Sequence, residues 1–215
     1  MNNHPVSYYQ HYQSVFATRQ SCIVNYIKCI VNFACNSGKD ELALLRKNQV
    51  PDMKILLVVY HSTTGGTEQM VRALVAGAAT EDGVKTRLLH ASITQATDVV
   101  DADGYVFATP ENLAAISGLM KDFFDRCYYP ALDRINGRPY AVLICAGSDG
   151  QNAARQIERI ATGWRLRPVA EPLIVCTHAQ TPEAILSPKT IDAADLDRCR
   201  ELGTALASGL ALGVF

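Results

Sequence analysis

Continuous apolar runs recur along the chain from residue 54 onward. They are KILLVVY at 54–60, GYVFA at 104–108, YAVLICA at 140–146 and LIVCT at 173–177, and a shorter mixed run, KTRLLH at 85–90, supplies a fifth. Short apolar runs without polar alternation are typical of strands that are buried on both faces of a sheet. The pattern therefore predicts five buried strands.

The segments between these runs have the spacing of amphipathic helices, because apolar residues recur every three to four positions. The stripes are Met70, Val71, Leu74, Val75 and Ala78; Ile116, Met120, Phe123 and Cys127; Ala153, Ile157, Ile160 and Trp164; and Ile191, Leu196, Cys199, Leu202, Leu206 and Leu210. Residues 92–103 leave room for a turn or two of helix. Strands that alternate with helices predict an α/β three-layer sandwich around a parallel sheet, with the order 2-1-3-4-5.

The first 52 residues lack this alternation. We expect residues 1–52 to be a poorly ordered N-terminal extension, arising from an upstream start choice, and residues 53–215 to be the folded domain. The apolar stretch at 22–35 is shorter than the roughly 20 residues that a membrane-spanning helix needs. No membrane span is expected.

Composition narrows the classes of partner. The formal net charge is -1, so no strong field attracts nucleic acid, and the 48% hydrophobic content fits a globular protein. The seven cysteines form no CxxC pair. The sequence therefore predicts neither a metal site nor a disulfide framework. It predicts a reducing, cytoplasmic setting.

The segment HSTTGGTEQM at 61–70 lies where the first strand ends and a helix begins. Amide N–H groups at a helix start attract anions, and hydroxyls can donate to phosphate oxygens. The loop has no Lys or Arg, so it lacks the Gly-Lys pair of nucleoside-triphosphate loops, and it has no GxGxxG fingerprint. It is suited to one phosphate monoester; the alternative is an ordinary polar turn that caps the helix through Thr67 or Gly66.

Two further loops follow central strands. TPENL at 109–113 follows the third strand and AGSDG at 146–150 follows the fourth. In a sheet of order 2-1-3-4-5 the carboxyl ends of strands 1 and 3 flank the crevice in which ligands bind. The loop at 62–67 and the loop at 109–113 are therefore expected to face one cleft.

These motifs resemble flavodoxin-like NAD(P)H-dependent oxidoreductases and FMN reductases, including quinone reductases of that fold. The resemblance covers residues 53–215 and lies in STTGGT at 62–67, TPEN at 109–112 with SGLMKDFFDR at 117–126, and AGSDG at 146–150 with RQIERIATG at 155–163. It implies a flavodoxin-like fold, an FMN cofactor and NAD(P)H as cosubstrate. It assigns the FMN phosphate to Ser62, Thr63, Thr64, Gly65, Gly66 and Thr67. It assigns the ribityl chain and ring to Thr109, Pro110, Glu111, Asn112, Leu113, Ala146, Gly147, Ser148, Asp149 and Gly150.

The second loop departs from the family in one place. Family members commonly have an aromatic residue and a glycine after the Asn of this loop, whereas Leu113, Ala114 and Ala115 follow Asn112 here. Asp149 could bond the ring or cap the next helix. Asp122 and Arg126, four residues apart on a helix, predict an exposed ion pair rather than a catalytic one.

The implied function is transfer of electrons from NAD(P)H through FMN to a small acceptor, such as a quinone or free flavin, by a homodimer or homotetramer. No catalytic acid or base is assigned, because the flavin itself supplies the redox chemistry. An electron carrier that docks on redox proteins is the alternative. Residues 53–215 contain 15 basic and 18 acidic residues, a mild net charge of -3 that favours the enzyme. A third alternative is an interaction module that no longer binds flavin.

Overall fold

Seven strands form one sheet in the computed structural model, which describes residues 53–215. The strands are β1 (Lys54–Tyr60), β2 (Val84–His90), β3 (Gly104–Asn112), β4 (Ala115–Ile116), β5 (Pro139–Ala146), β6 (Arg167–Pro168) and β7 (Leu173–Cys176). The order is β2-β1-β3-β5, and both β6 and β7 pair with β5. The long strands thus confirm the predicted order 2-1-3-4-5, and β4 and β6 are two short additions.

The same described range contains six helices. They are α1 (Gly66–Ala78), α2 (Ala96–Asp101), α3 (Gly118–Ala131), α4 (Gln151–Gly163), α5 (Pro182–Leu186) and α6 (Ala193–Ala211). Successive side chains of a strand point to opposite faces. Leu56 and Val58 of β1 accordingly join a core with α1 and α6, while Leu57 and Val59 join a second core with α3 and α4. The predicted three-layer sandwich is confirmed.

Strand β3 continues past the predicted end at Ala108. Pro110 lies opposite Cys145 of β5, so the strand reaches Asn112 before the chain turns. Leu113 and Ala114 form the two-residue turn to β4, with φ of 52° and 58°. Positive φ at both central residues is the geometry of the tight turns that suit antiparallel hairpins.

The first helical stripe residue after this turn was predicted wrongly. Ile116 lies in β4 rather than in a helix, and α3 begins only after Ser117. The Ser117 hydroxyl accepts a hydrogen bond from the backbone N–H of Met120 at 3.3 Å, which caps the helix. The hairpin therefore displaces the helix start by two residues.

The predicted N-terminal extension, residues 1–52, lies outside the described residues, so its boundary stays a prediction. Among residues 53–215 there is no helix with the length and apolar character that crossing a membrane requires.

Candidate functional site

The phosphate loop, residues 62–67, joins β1 directly to α1. Gly65 precedes the helix with a φ of +86°, a left-handed conformation that glycine adopts without strain. The Ser62 hydroxyl accepts hydrogen bonds from the N–H groups of Gly65 at 3.2 Å and Glu68 at 3.3 Å. A Cβ at Gly66 would lie 2.6 Å from the sulfur of Cys145, so this second glycine permits close packing against β5.

Thr67 places a buried hydroxyl in this loop. The residue is 1% exposed, and its Oγ1 has no hydrogen-bond partner within the protein. Buried hydroxyls are nearly always hydrogen-bonded, because an unpaired one costs about 1–3 kcal/mol. Thr67 is one of the residues that line the cleft, so its unpaired hydroxyl is a candidate partner for a ligand oxygen.

The neighbouring Cys145 thiol is uncharged at neutral pH. Burial raises its pKa from 9.0 to about 11, and the positive charge of Lys189 offsets only part of that rise. No thiolate at Cys145 therefore opposes an anion bound beside Thr67.

The β3–β4 hairpin forms a second wall and is held by three side-chain hydrogen bonds. The Glu111 carboxylate accepts from the N–H of Gly150 at 2.9 Å. From α4, Asn152 donates to the carbonyl of Ala114 at 2.5 Å. The Gln156 carbonyl oxygen accepts from the N–H of Ile116 at 3.0 Å. The strained turn is thus fixed from the helix that follows β5.

These loops enclose a cleft of about 480 Å³ at the carboxyl edge of β1, β3 and β5. Most of the residues that the sequence assigned to the cofactor line it: Ser62, Thr63, Thr64, Gly66, Thr67, Pro110, Glu111, Asn112, Leu113, Ala146, Gly147 and Ser148. The structure therefore brings the three predicted loops together.

Four of the assigned residues do not line the cleft. Thr109 is fully buried, and its hydroxyl bonds Ser117 at 3.1 Å and the carbonyl of Pro110 at 3.0 Å. Its side chain therefore anchors the second loop to the start of α3 instead of reaching a ligand.

The other three have backbone roles or lie outside the cleft. Gly65 and Gly150 are the positive-φ residues that precede α1 and α4. The N–H of Gly150 is already bonded to Glu111. Asp149 is exposed, and its carbonyl accepts from the thiol of Cys176 at 3.9 Å.

One further side of the cleft was not predicted from the sequence. It is formed by residues 177–191, here called the strap, which contribute Thr177, Ala179, Ile185, Leu186 and Lys189 to the lining. Thr181, followed by Pro182, is a readable helix start, and its hydroxyl accepts from the N–H of Ala184 at 3.2 Å. Nothing local in the sequence indicates that the strap contacts the phosphate loop.

The strap bonds the phosphate loop through backbone groups and one glutamine. The N–H of Lys189 donates to the carbonyl of Thr64 at 2.8 Å. The Gln69 amide donates to the carbonyls of Gly65 at 3.0 Å and Lys189 at 2.6 Å, and its oxygen accepts from the N–H of Ile191 at 3.2 Å. The glutamine thus joins the first turn of α1 to a segment more than a hundred residues away.

Exposed apolar side chains surround the cleft. Leu113 is fully exposed, Leu186 is 76% exposed and Ile185 is 50% exposed, and all three are lining residues. Exposed apolar side chains grouped at a concavity are typical of a binding site for a flat, partly apolar ligand. Leu113, at the turn of the β3–β4 hairpin, supplies part of this surface.

One other prediction concerns an ion pair on α3. The Arg126–Asp122 ion pair is confirmed, at 2.7 Å on the surface of α3. His61, which precedes the phosphate loop, packs edge-on against His90 with ring centroids 5.5 Å apart. Burial, with a smaller effect of His90, lowers the pKa of His61, so it is neutral at pH 7.

Comparison with known proteins agrees with this architecture. Residues 94–181, which include the second and third loops, match the family model of NADPH-dependent FMN reductases. A flavodoxin of Aquifex aeolicus is 32% identical over 95 residues, which are 44% of this chain and 51% of that protein. An NAD(P)H dehydrogenase (quinone) of Acidithiobacillus ferrooxidans is 31% identical over 94 residues, covering 34% of this chain and 47% of that protein. The chain spans about half the length of the curated relatives it matches.

Solved structures share the fold at low sequence identity. A flavodoxin from the domain Archaea superposes with a TM-score of 0.59 at 17% identity, covering 73% of this chain and 98% of that one. A WrbA-like flavodoxin protein of Agrobacterium tumefaciens superposes with a TM-score of 0.53 at 19% identity, covering 74% of this chain and 98% of that one. The resemblance predicted from the sequence is confirmed: this is a flavodoxin-like α/β chain whose residues 94–181 match the NADPH-dependent FMN reductase family.

Proposed function

We propose that this protein binds FMN and passes electrons from NAD(P)H to a small acceptor such as a quinone or free flavin. The observation that carries the proposal is the buried, unpartnered hydroxyl of Thr67 at the amide-rich start of α1, inside a cleft bounded by exposed apolar side chains. One end of the cleft suits a phosphate and the remainder suits a planar ring. The match to the FMN reductase family supports the same cofactor.

The residues of the phosphate loop would hold the FMN phosphate through amides and hydroxyls. Asn112, Leu113 and residues 146–148 would contact the ribityl chain and ring. FMN, when bound, accepts electrons from NAD(P)H and releases them to an acceptor, so the protein needs to bind, orient and exclude water rather than to supply an acid or base. Leu113, Ile185 and Leu186 offer the apolar surface for this.

Titration of flavin-free protein with FMN tests the proposal. We expect the flavin spectrum to shift on binding, NADH or NADPH to bleach it without oxygen, and a soluble quinone to restore it. A protein that leaves the FMN spectrum unchanged and retains no flavin after desalting would refute the proposal.

A second candidate is an electron carrier that docks on redox proteins. It is favoured by the 32% identity to a flavodoxin. The mild net charge of residues 53–215 argues for the enzyme, because carriers commonly rely on strong surface charge for steering. Bound flavin that a chemical reductant bleaches but NAD(P)H does not would select the carrier.

The proposal includes a cytoplasmic homodimer or homotetramer. Light scattering of the eluting protein gives the number of subunits, and cell fractionation gives the compartment.

A further inference from the structure

Lys189 is the one cationic residue among the described residues that line the cleft. Its backbone N–H bonds Thr64 in the phosphate loop, and its Cβ lies 3.4 Å from the position that a Cβ on Gly66 would take. The loop itself contains no Lys or Arg. A positive charge therefore reaches this site from a segment far along the chain.

The ammonium of Lys189 is held in one place. It donates to the carbonyls of Ala184 at 2.7 Å, Ile185 at 2.9 Å and Ser187 at 2.6 Å, at the carboxyl end of α5. An ammonium has three N–H donors, and these three bonds use all of them. The group therefore acts as a fixed point charge and not as a direct hydrogen-bond donor to a ligand.

The positive charge of Lys189 acts on a residue that lines the cleft. Lys189 lowers the pKa of the buried Cys145 thiol, although burial raises that pKa by more. Cys145 in turn contacts the position of Gly66 at the start of α1. The carboxylate that lines the cleft, Glu111, belongs to the β3–β4 hairpin, where it accepts from the N–H of Gly150.

We propose that Lys189 is a specificity-determining residue: its fixed ammonium favours flavins that carry a phosphate monoester over flavins that do not, and Gln69 positions it against the phosphate loop. The inference depends on the proposed function, because it assigns the phosphate of FMN to this loop. A dianion benefits from a nearby cation in proportion to its charge, whereas the uncharged ring and ribityl chain do not. The strap thus supplies the countercharge that the loop lacks.

The test compares the dissociation constants of FMN and riboflavin, which differ in the phosphate alone. In Lys189→Met we expect FMN to bind about tenfold more weakly, with a much smaller change for riboflavin. Lys189→Arg should keep the preference for FMN, since it keeps the charge. The matched control is Lys121→Met, which removes a lysine that pairs with Asp125 on the exposed face of α3 and should change neither constant.

A purely structural role for Lys189 gives a different result. Loss of the α5 carbonyl bonds would disturb Ile185 and Leu186, and both flavins would then weaken alike. Equal weakening, or an unchanged ratio of the two constants, overturns the inference. Lys189→Gln serves if the Met variant does not fold, because its amide can still donate to the carbonyls of α5 while the charge is gone.

The outcomes also separate this inference from the proposed function. If the unaltered protein binds neither flavin, the proposed function fails and the inference with it. If it binds FMN but Lys189→Met keeps the same preference for FMN over riboflavin, the proposed function stands and only the role of Lys189 is lost.

Discussion

Thr67 is the residue at which stability and ligand binding are expected to conflict. Its buried hydroxyl has no hydrogen-bond partner, so removing this hydroxyl from water on folding destabilises the flavin-free protein. We predict that Thr67→Val raises the unfolding free energy of the flavin-free protein by about 1 kcal/mol and weakens FMN binding by about tenfold. Urea unfolding and FMN titration measure the two effects.

Thr94 provides a matched control for that substitution. It is also fully buried, but its hydroxyl donates to the carbonyl of His90 at 2.9 Å and does not line the cleft. Thr94→Val should therefore lower the unfolding free energy and leave FMN affinity unchanged. Loss of stability in Thr67→Val would mean that its hydroxyl already has a partner in the free protein.

At the scale of elements, α1 and α6 cross without space for a side chain at two glycines. A Cβ at Gly203 would lie 2.0 Å from the carbonyl oxygen of Leu74, and one at Gly77 would lie 2.0 Å from that of Arg200. We predict that Gly203→Ala lowers the unfolding free energy by about 3 kcal/mol, because one helix must move away from the other. Thermal unfolding measures the loss.

Gly118 is the control glycine. It begins α3, and a Cβ there would meet nothing within 4 Å. Gly118→Ala should be neutral or stabilise by about 0.5 kcal/mol through the unfolded state. Equal effects at the two positions would show that the close crossing does not limit stability.

At the scale of the whole molecule, buried thiols make stability depend on alkaline pH. Burial raises the pKa of Cys127, Cys145 and Cys199 from 9.0 to about 11. Between these two values the folded protein holds protons that the unfolded chain has released, so rising pH favours unfolding. We predict that the unfolding free energy is unaffected by these groups below pH 9 and falls as the pH rises to 11.

Urea unfolding across this pH range tests the prediction, and Cys199→Ala is the informative variant. It removes one of the three thiols, so its unfolding free energy should fall less steeply with pH than that of the unaltered protein. Parallel curves would exclude Cys199 as a contributor.

The sequence was sufficient for the parts of the fold that local patterns determine. Apolar runs located the long strands, and hydroxyls and glycines after β1 located the turn at 62–67 that leads into α1. The β3–β4 hairpin was missed because Leu113 and Ala114 adopt positive φ without a glycine to indicate the turn. Strand β6 has two residues, too few for any periodicity.

The strap shows the limit of the same reasoning. Residues 177–191 have little apolar periodicity, and their position depends on bonds from Gln69 and Thr64. A glutamine on a helix surface has no feature that indicates such a partner. Lys189 was therefore absent from the predicted site, although its backbone lies against the loop that was predicted.

The bonds of Gln69 also have a consequence for biosynthesis. Its two partners in the strap follow it by 120 and 122 residues, so they leave the ribosome long after α1 has been made. A nascent chain that ends before the strap contains every strand of the described sheet but lacks one side of the cleft. We therefore expect a nascent chain to retain FMN only after the strap has been synthesised.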